Sequence, residues 1–175
     1  MKIICYGDSN TFGYDPRGPF GGRFDHPWPE QLALLSGWQV INQGENGREI
    51  PKTAVSFPED TALLIIMLGT NDLLQFWSPA AACAKMEAFL KTVTVPVLLL
   101  APPPMTIGAW VEDEDLINDR CTLAEHYQGL AQRLEIPFCD PGQWNLPLAF
   151  DGVHLTQEGH TVFAQRLYEY LTKGV

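Results

Sequence analysis

Gly7-Asp8-Ser9-Asn10 follows the apolar run that opens the chain, Asn42-Gln43-Gly44 follows a second, and Gly69-Thr70-Asn71-Asp72 follows a third. A lone hydroxyl, a glycine backbone and a carboxamide are the parts acyl transfer needs: a nucleophile, and N–H donors for the oxyanion. The missing part is a base. Of the four histidines, His26, His126, His154 and His160, only His154 stands in a long loop with a carboxylate three residues upstream, in Asp151-Gly152-Val153-His154-Leu155. Such a turn can bring the carboxylate to Nδ1, which fixes the tautomer and leaves Nε2 free to take a hydroxyl proton. The ordinary uses of these residue types stand beside this reading. Ser9 could cap a turn, Asn71 could satisfy turn backbone and Gly44 could supply a positive φ.

A scaffold must bring these residues together. Apolar runs of strand length at residues 2–6, 38–42, 62–68, 95–100 and, more weakly, 137–139 alternate with segments of helical period. That alternation predicts an α/β fold with a parallel sheet, whose strands are apolar throughout because helices cover both faces. Helices are expected over residues 27–36, from Ser78-Pro79 with Cys83, Met86, Leu90 and Val93 inward, and over 112–134 with Ile117, Cys121, Ala124, Ala131 and Leu134 on one side. The last begins near Thr156 and buries Phe163, Leu167, Tyr170 and Leu171. Residues 7–27, 101–110 and 140–155 read as long loops, which on a compact domain are commonly functional. With strand order 2-1-3-4-5, the three polar stretches emerge side by side at the carboxyl end of the sheet, where such folds bind ligands.

In order along the chain, Gly7-Asp8-Ser9-Asn10, Gly44, Gly69-Thr70-Asn71-Asp72 and Asp151-Gly152-Val153-His154 resemble the four motif blocks of the GDSL, or SGNH, hydrolases. The resemblance runs from residue 7 to residue 154. Residues 65–72 and 101–104 resemble its arylesterase and acyltransferase branch. What it implies is a Ser9 nucleophile, a His154 base partnered by Asp151, and an oxyanion hole of the Ser9 and Gly44 N–H groups and the Asn71 side chain. It also implies a three-layer α/β/α sandwich and a small-molecule ester as substrate, without metal or organic cofactor. Asn10 stands where the family name has Leu, and Phe12 where the branch often has Trp. Phe12, Trp77, Trp110, Phe150 and Val153 lie in or near the site loops and are expected to line an apolar acyl or aryl pocket.

Length fits one domain over residues 1–175. Eleven Lys and Arg against 21 Asp and Glu leave a formal charge of −10, which repels phosphate backbones and anionic lipid and so sets nucleic-acid and membrane-surface binding aside. No apolar run approaches the ~18 residues of a membrane span, and the polar turn at Gly7 leaves no room for a signal-peptide core, so a cytoplasmic protein is expected. Cys5, Cys83, Cys121 and Cys139 form no CxxC pair, which excludes a zinc ribbon and predicts reduced, packed thiols. The aromatic loops suggest a homo-oligomer. Two alternatives use other chemistry at the same place: an acyltransferase or carbohydrate O-acetylesterase, or a non-catalytic flavodoxin-like module, whose bound phosphate Asp8 would oppose.

Overall fold

β1 (Lys2–Gly7) is apolar almost throughout because it lies at the sheet's interior with both faces covered. The computed structural model describes residues 1–18 and 20–173. After β1 come α1 (Ser9–Phe12), β2 (Tyr14–Asp15), β3 (Gly22–Arg23), α2 (Trp28–Ser36), β4 (Gln39–Gly44), β5 (Leu63–Met67) and α3 (Thr70–Leu74). α4 (Pro79–Leu90), β6 (Val97–Leu100), α5 (Asp115–Leu134), β7 (Phe138–Cys139), a short 3-10 turn (Pro141–Gln143) and α6 (Gln157–Lys173) complete the order. Five strands form one parallel sheet in the order β4-β1-β5-β6-β7, the order expected from the sequence.

Side-chain parity divides the core, as the two-residue period of a strand requires. Ile4, Tyr6, Leu64, Ile66 and Leu99 face Met86 and Phe89 of α4 and Leu123, Tyr127 and Leu130 of α5. Their neighbours Ile3, Cys5, Ile65, Met67, Leu98 and Leu100 face Trp28 and Leu32 of α2 and Phe163 and Leu167 of α6. The result is the expected three-layer sandwich. Ser78 caps α4 by accepting the Ala81 N–H at 3.3 Å, and Thr156 holds the start of α6 through the Gly159 N–H at 3.0 Å.

Several expectations need correction. The second strand starts and ends later than residues 38–42, because its last residues, Gln43 and Gly44, pair with Tyr6 and Gly7. The long helix begins at Asp115 rather than 112. Its inward face is also rotated: Cys121 is exposed, and Arg120 is buried in its place. The guanidinium of Arg120 donates to the Pro102 carbonyl and pairs with Asp140, so its apolar stem fills the core while its charge is satisfied. Residues 7–27 are not one irregular loop. They hold α1 and the two-stranded β2–β3 ribbon.

Candidate active site

β1 delivers the chain to the carboxyl edge of the sheet, where Asp8 turns it into α1. Its carboxylate accepts the Asn10 N–H at 2.9 Å and so caps the turn. Burial pushes the Asp8 carboxyl up to about 6, against the opposing pull of that N–H. Ser9 is the first residue of α1, and its own N–H has no acceptor among the described residues.

Ser9 Oγ lies 2.9 Å from His154 Nε2, and His154 Nδ1 lies 2.7 Å from Asp151 Oδ2. All three residues are buried. The other Asp151 oxygen accepts the Val153 and His154 N–H groups at 2.9 and 3.0 Å. Burial alone would raise the Asp151 carboxyl, but these hydrogen bonds and the imidazole outweigh it and hold the group below the usual carboxylate range. The turn needs glycine at 152: φ is +81°, and a Cβ there would meet the Thr106 carbonyl oxygen at 2.1 Å. The histidine ring is walled by Tyr14 at 4.8 Å between centroids and, edge-on, by Trp110 at 5.1 Å.

The donors beside this line are only partly those expected. Asn71 Nδ2 donates one hydrogen to the Arg48 carbonyl at 3.0 Å, which orients the amide and leaves its second N–H unused. The Gly44 N–H is not available in this arrangement, because it donates to Asn42 Oδ1 at 2.8 Å. Nor does Gly44 adopt a positive φ. Glycine is required there because the Phe12 backbone nitrogen lies 2.0 Å from where a Cβ would sit. Three residues on, Gly47 has φ +75° in the exposed turn closed by the Arg48 N–H to the Glu45 carbonyl, and its N–H has no acceptor among the described residues.

A cavity of about 690 Å³ opens beside Trp110. Leu73, Leu74, Phe76, Trp77 and Leu116 supply apolar wall, and Glu112, Asp113, Asp115 and Asp119 supply carboxylates with no cation among the lining residues. Two expected pocket residues, Trp77 and Trp110, are there. Phe12 is not; the Arg23 guanidinium lies over its ring at 5.2 Å. Val153 is not either, being buried in the core cluster of the α4–α5 face. Phe150 is exposed beside a separate, smaller cavity with Phe24 and Leu148. Tyr14 and the carboxylates were missed, since nothing local ties residues 14 and 112–119 to His154. Among the described residues no three His, Cys, Asp or Glu side chains gather as a metal would need, and no helix is long and apolar enough to cross a membrane.

A model of the GDSL-like lipase/acylhydrolase family matches residues 5–162. Among solved structures, a proposed arylesterase from Agrobacterium tumefaciens str. C58 is 28% identical, with a TM-score of 0.84 over 100% of both chains. A carbohydrate acetylesterase family member from Sinorhizobium meliloti is 26% identical, with a TM-score of 0.82 over 99% of this chain and 98% of that one. The aryl esterase of M. smegmatis, 24% identical with a TM-score of 0.82 over 99% of both chains, shares the fold. No curated protein matches the sequence.

Proposed function

The chain belongs to the GDSL-like lipase/acylhydrolase family, a family of carboxylic ester hydrolases, and from that premise we propose a serine esterase that cleaves small acyl or aryl esters through an acyl-enzyme on Ser9. One observation carries the reading: the unbroken line from Ser9 Oγ through His154 to Asp151, at 2.9 and 2.7 Å. Each atom in it has the partner its role demands. His154 Nε2 takes the Oγ proton as Oγ bonds to the ester carbonyl carbon. Asp151 accepts from Nδ1 throughout and offsets the imidazolium charge that forms.

The carbonyl oxygen, now an oxyanion, is met by the Ser9 N–H and the second N–H of Asn71, with the Gly44 N–H as a third donor once it is released from Asn42 Oδ1. When the intermediate collapses, the C–O bond to the alcohol breaks and the alkoxide leaves with the proton from Nε2. Water then repeats the sequence on the acyl-enzyme and frees the acid. Tyr14 and Trp110 pack against the imidazole and help to screen it from solvent.

The cavity beside Trp110 suits the acyl or alcohol portion. Its aromatic wall fits aryl esters, the substrate class in the name of one similar structure, and its four carboxylates disfavour acyl groups that carry negative charge. A second reading, an acetylated carbohydrate, draws on the same wall: Trp77 and Trp110 offer stacking faces, and the carboxylates accept hydroxyl hydrogen bonds. The rate on an acetylated sugar relative to phenyl acetate separates the two.

Hydrolysis of p-nitrophenyl acetate, together with covalent labelling by a phosphonate probe, tests the core of the proposal. Both are expected to vanish in Ser9→Ala while the protein stays folded. Undiminished labelling of Ser9→Ala would place the nucleophile elsewhere.

A further inference from the structure

We propose that Asn10 is a positioning residue that fastens the base-bearing loop to the nucleophile's own turn of helix; this rests on the esterase reading above. Asn10 directly follows Ser9 and is 1% exposed. Its Nδ2 donates to the Val153 carbonyl at 3.1 Å, and its Oδ1 accepts the Leu155 N–H at 2.9 Å. A single carboxamide therefore grips the residue before His154 and the residue after it.

The rest of that loop is satisfied from within or by residues 106–110, whose Thr106, Ala109 and Trp110 N–H groups donate to the Gly152, Phe150 and Asp151 carbonyls at 3.0, 3.1 and 3.0 Å. Asp151 takes the Val153 and His154 N–H groups, and the His154 carbonyl accepts the Ala149 N–H at 2.7 Å. The Val153 carbonyl and the Leu155 N–H have no other partner among the described residues, and both residues are buried. Between residues 8–12 and 151–155, the two Asn10 bonds and the Ser9–His154 contact are the only hydrogen bonds among the described residues. Without the carboxamide, the Ser9–His154 contact would be the one hydrogen bond left directly between these two segments among the described residues, since the bonds from residues 106–110 tie the loop to another part of the fold.

Only a side chain with a donor and an acceptor in a fixed fork can do this. Leucine, the residue of the family's namesake motif, has neither, and aspartate lacks the donor. The purpose is distance. A drift of the loop by an ångström leaves the fold intact yet lengthens the Oγ–Nε2 contact, and misplacement on that scale can cost ~10²-fold in rate.

The test compares wild type with Asn10→Asp and Asn10→Leu, with Ser9→Ala alongside. Expected are a fall in kcat of about tenfold for Asn10→Asp and ~10²-fold for Asn10→Leu, with KM within about twofold in both. Phosphonate labelling of Ser9 should slow in proportion. The low-field proton resonance of His154 Nδ1–H should weaken in both variants, a change that a purely structural role would not produce. Folded variants with kcat within twofold of wild type would overturn the proposal. So would an Asn10→Asp protein that fails to fold, since the residue would then support the fold rather than the geometry. If Ser9→Ala is inactive while both Asn10 variants match wild type, only this inference falls. If Ser9→Ala is itself fully active, the esterase reading falls with it.

Discussion

Two buried histidines stand six residues apart, one in the loop before α6 and one in its first turn, and they differ in what their ring nitrogens meet. His154 has a carboxylate at Nδ1, a hydroxyl at Nε2 and aromatic rings on two sides. His160 accepts the Trp28 N–H at Nδ1, at 3.3 Å, leaves Nε2 without a partner among the described residues and packs edge-on to Phe24. Burial pushes His160 down to about 3, so it is a neutral packing group at working pH. The contrast shows that burial alone silences an imidazole by penalising its charged form. A buried histidine becomes a base only where an anion is placed to receive the imidazolium.

The carboxylate is therefore the sharpest place to break the comparison. Asp151→Asn keeps the shape of the loop but removes the charge and reverses the tautomer preference, which makes His154 more like His160. A loss of ~10⁴ in kcat with little change in KM is expected. A loss under tenfold in steady-state kinetics would mean that the partner of His154 does not decide its role. Next in size is the oxyanion side, which His160 lacks altogether. Asn71→Ala should cost ~10²–10³ in kcat, and a loss under threefold would remove the amide from that role.

How far this contrast was visible in the sequence depends on the range of the interaction. Asp151 and His154 lie within one turn, so their pairing could be read from spacing. The strands could be read because buried parallel strands are continuous apolar runs, and their parity then fixed both faces of the core. Ser9 and Asn71 were legible from their places after such runs. Gly44 was legible as a glycine at the site, but spacing cannot tell whether its N–H faces a substrate or, as in this arrangement, donates to Asn42 Oδ1. Arg120 and Cys121 exchanged sides because a helical wheel does not anticipate an arginine whose head finds Pro102 and Asp140. The bonds of Asn10 span more than 140 residues, beyond the reach of any local pattern. The two-residue strands of the β2–β3 ribbon are too short to give a period at all.

The walls of the two rings offer a smaller effect. Phe24, against His160, is buried, whereas Trp110, against His154, is half exposed and also lines the cavity. Trp110→Ala should thus alter substrate preference more than chemistry, lowering kcat/KM for phenyl acetate by about tenfold, the scale of ~1–2 kcal/mol for a lost aromatic contact, while ethyl acetate loses less. Equal losses on both esters would place Trp110 outside the substrate's reach.

The smallest effect on rate and the clearest on stability belongs to His160. Its folded form binds no proton until pH falls to about 3, whereas in the unfolded chain it titrates near the usual ~6.5. Below that value the unfolded state binds more protons, so stability falls with pH by up to ~1.4 kcal/mol per unit. Asp8 works in the opposite direction. Raised to about 6 in the folded state, it takes up its proton there before the unfolded chain does, so stability rises as pH falls from 6 toward ~3.9. In wild type the two contributions nearly cancel across that window. His160→Gln keeps an acceptor for the Trp28 N–H but cannot titrate, so it should leave kcat within about twofold and unmask Asp8. Denaturant unfolding at pH 6.5 and pH 5 would then show the variant gaining on wild type by ~2 kcal/mol between the two values. A constant difference between the proteins would mean that His160 is charged in the folded state, and that burial does not separate the two histidines.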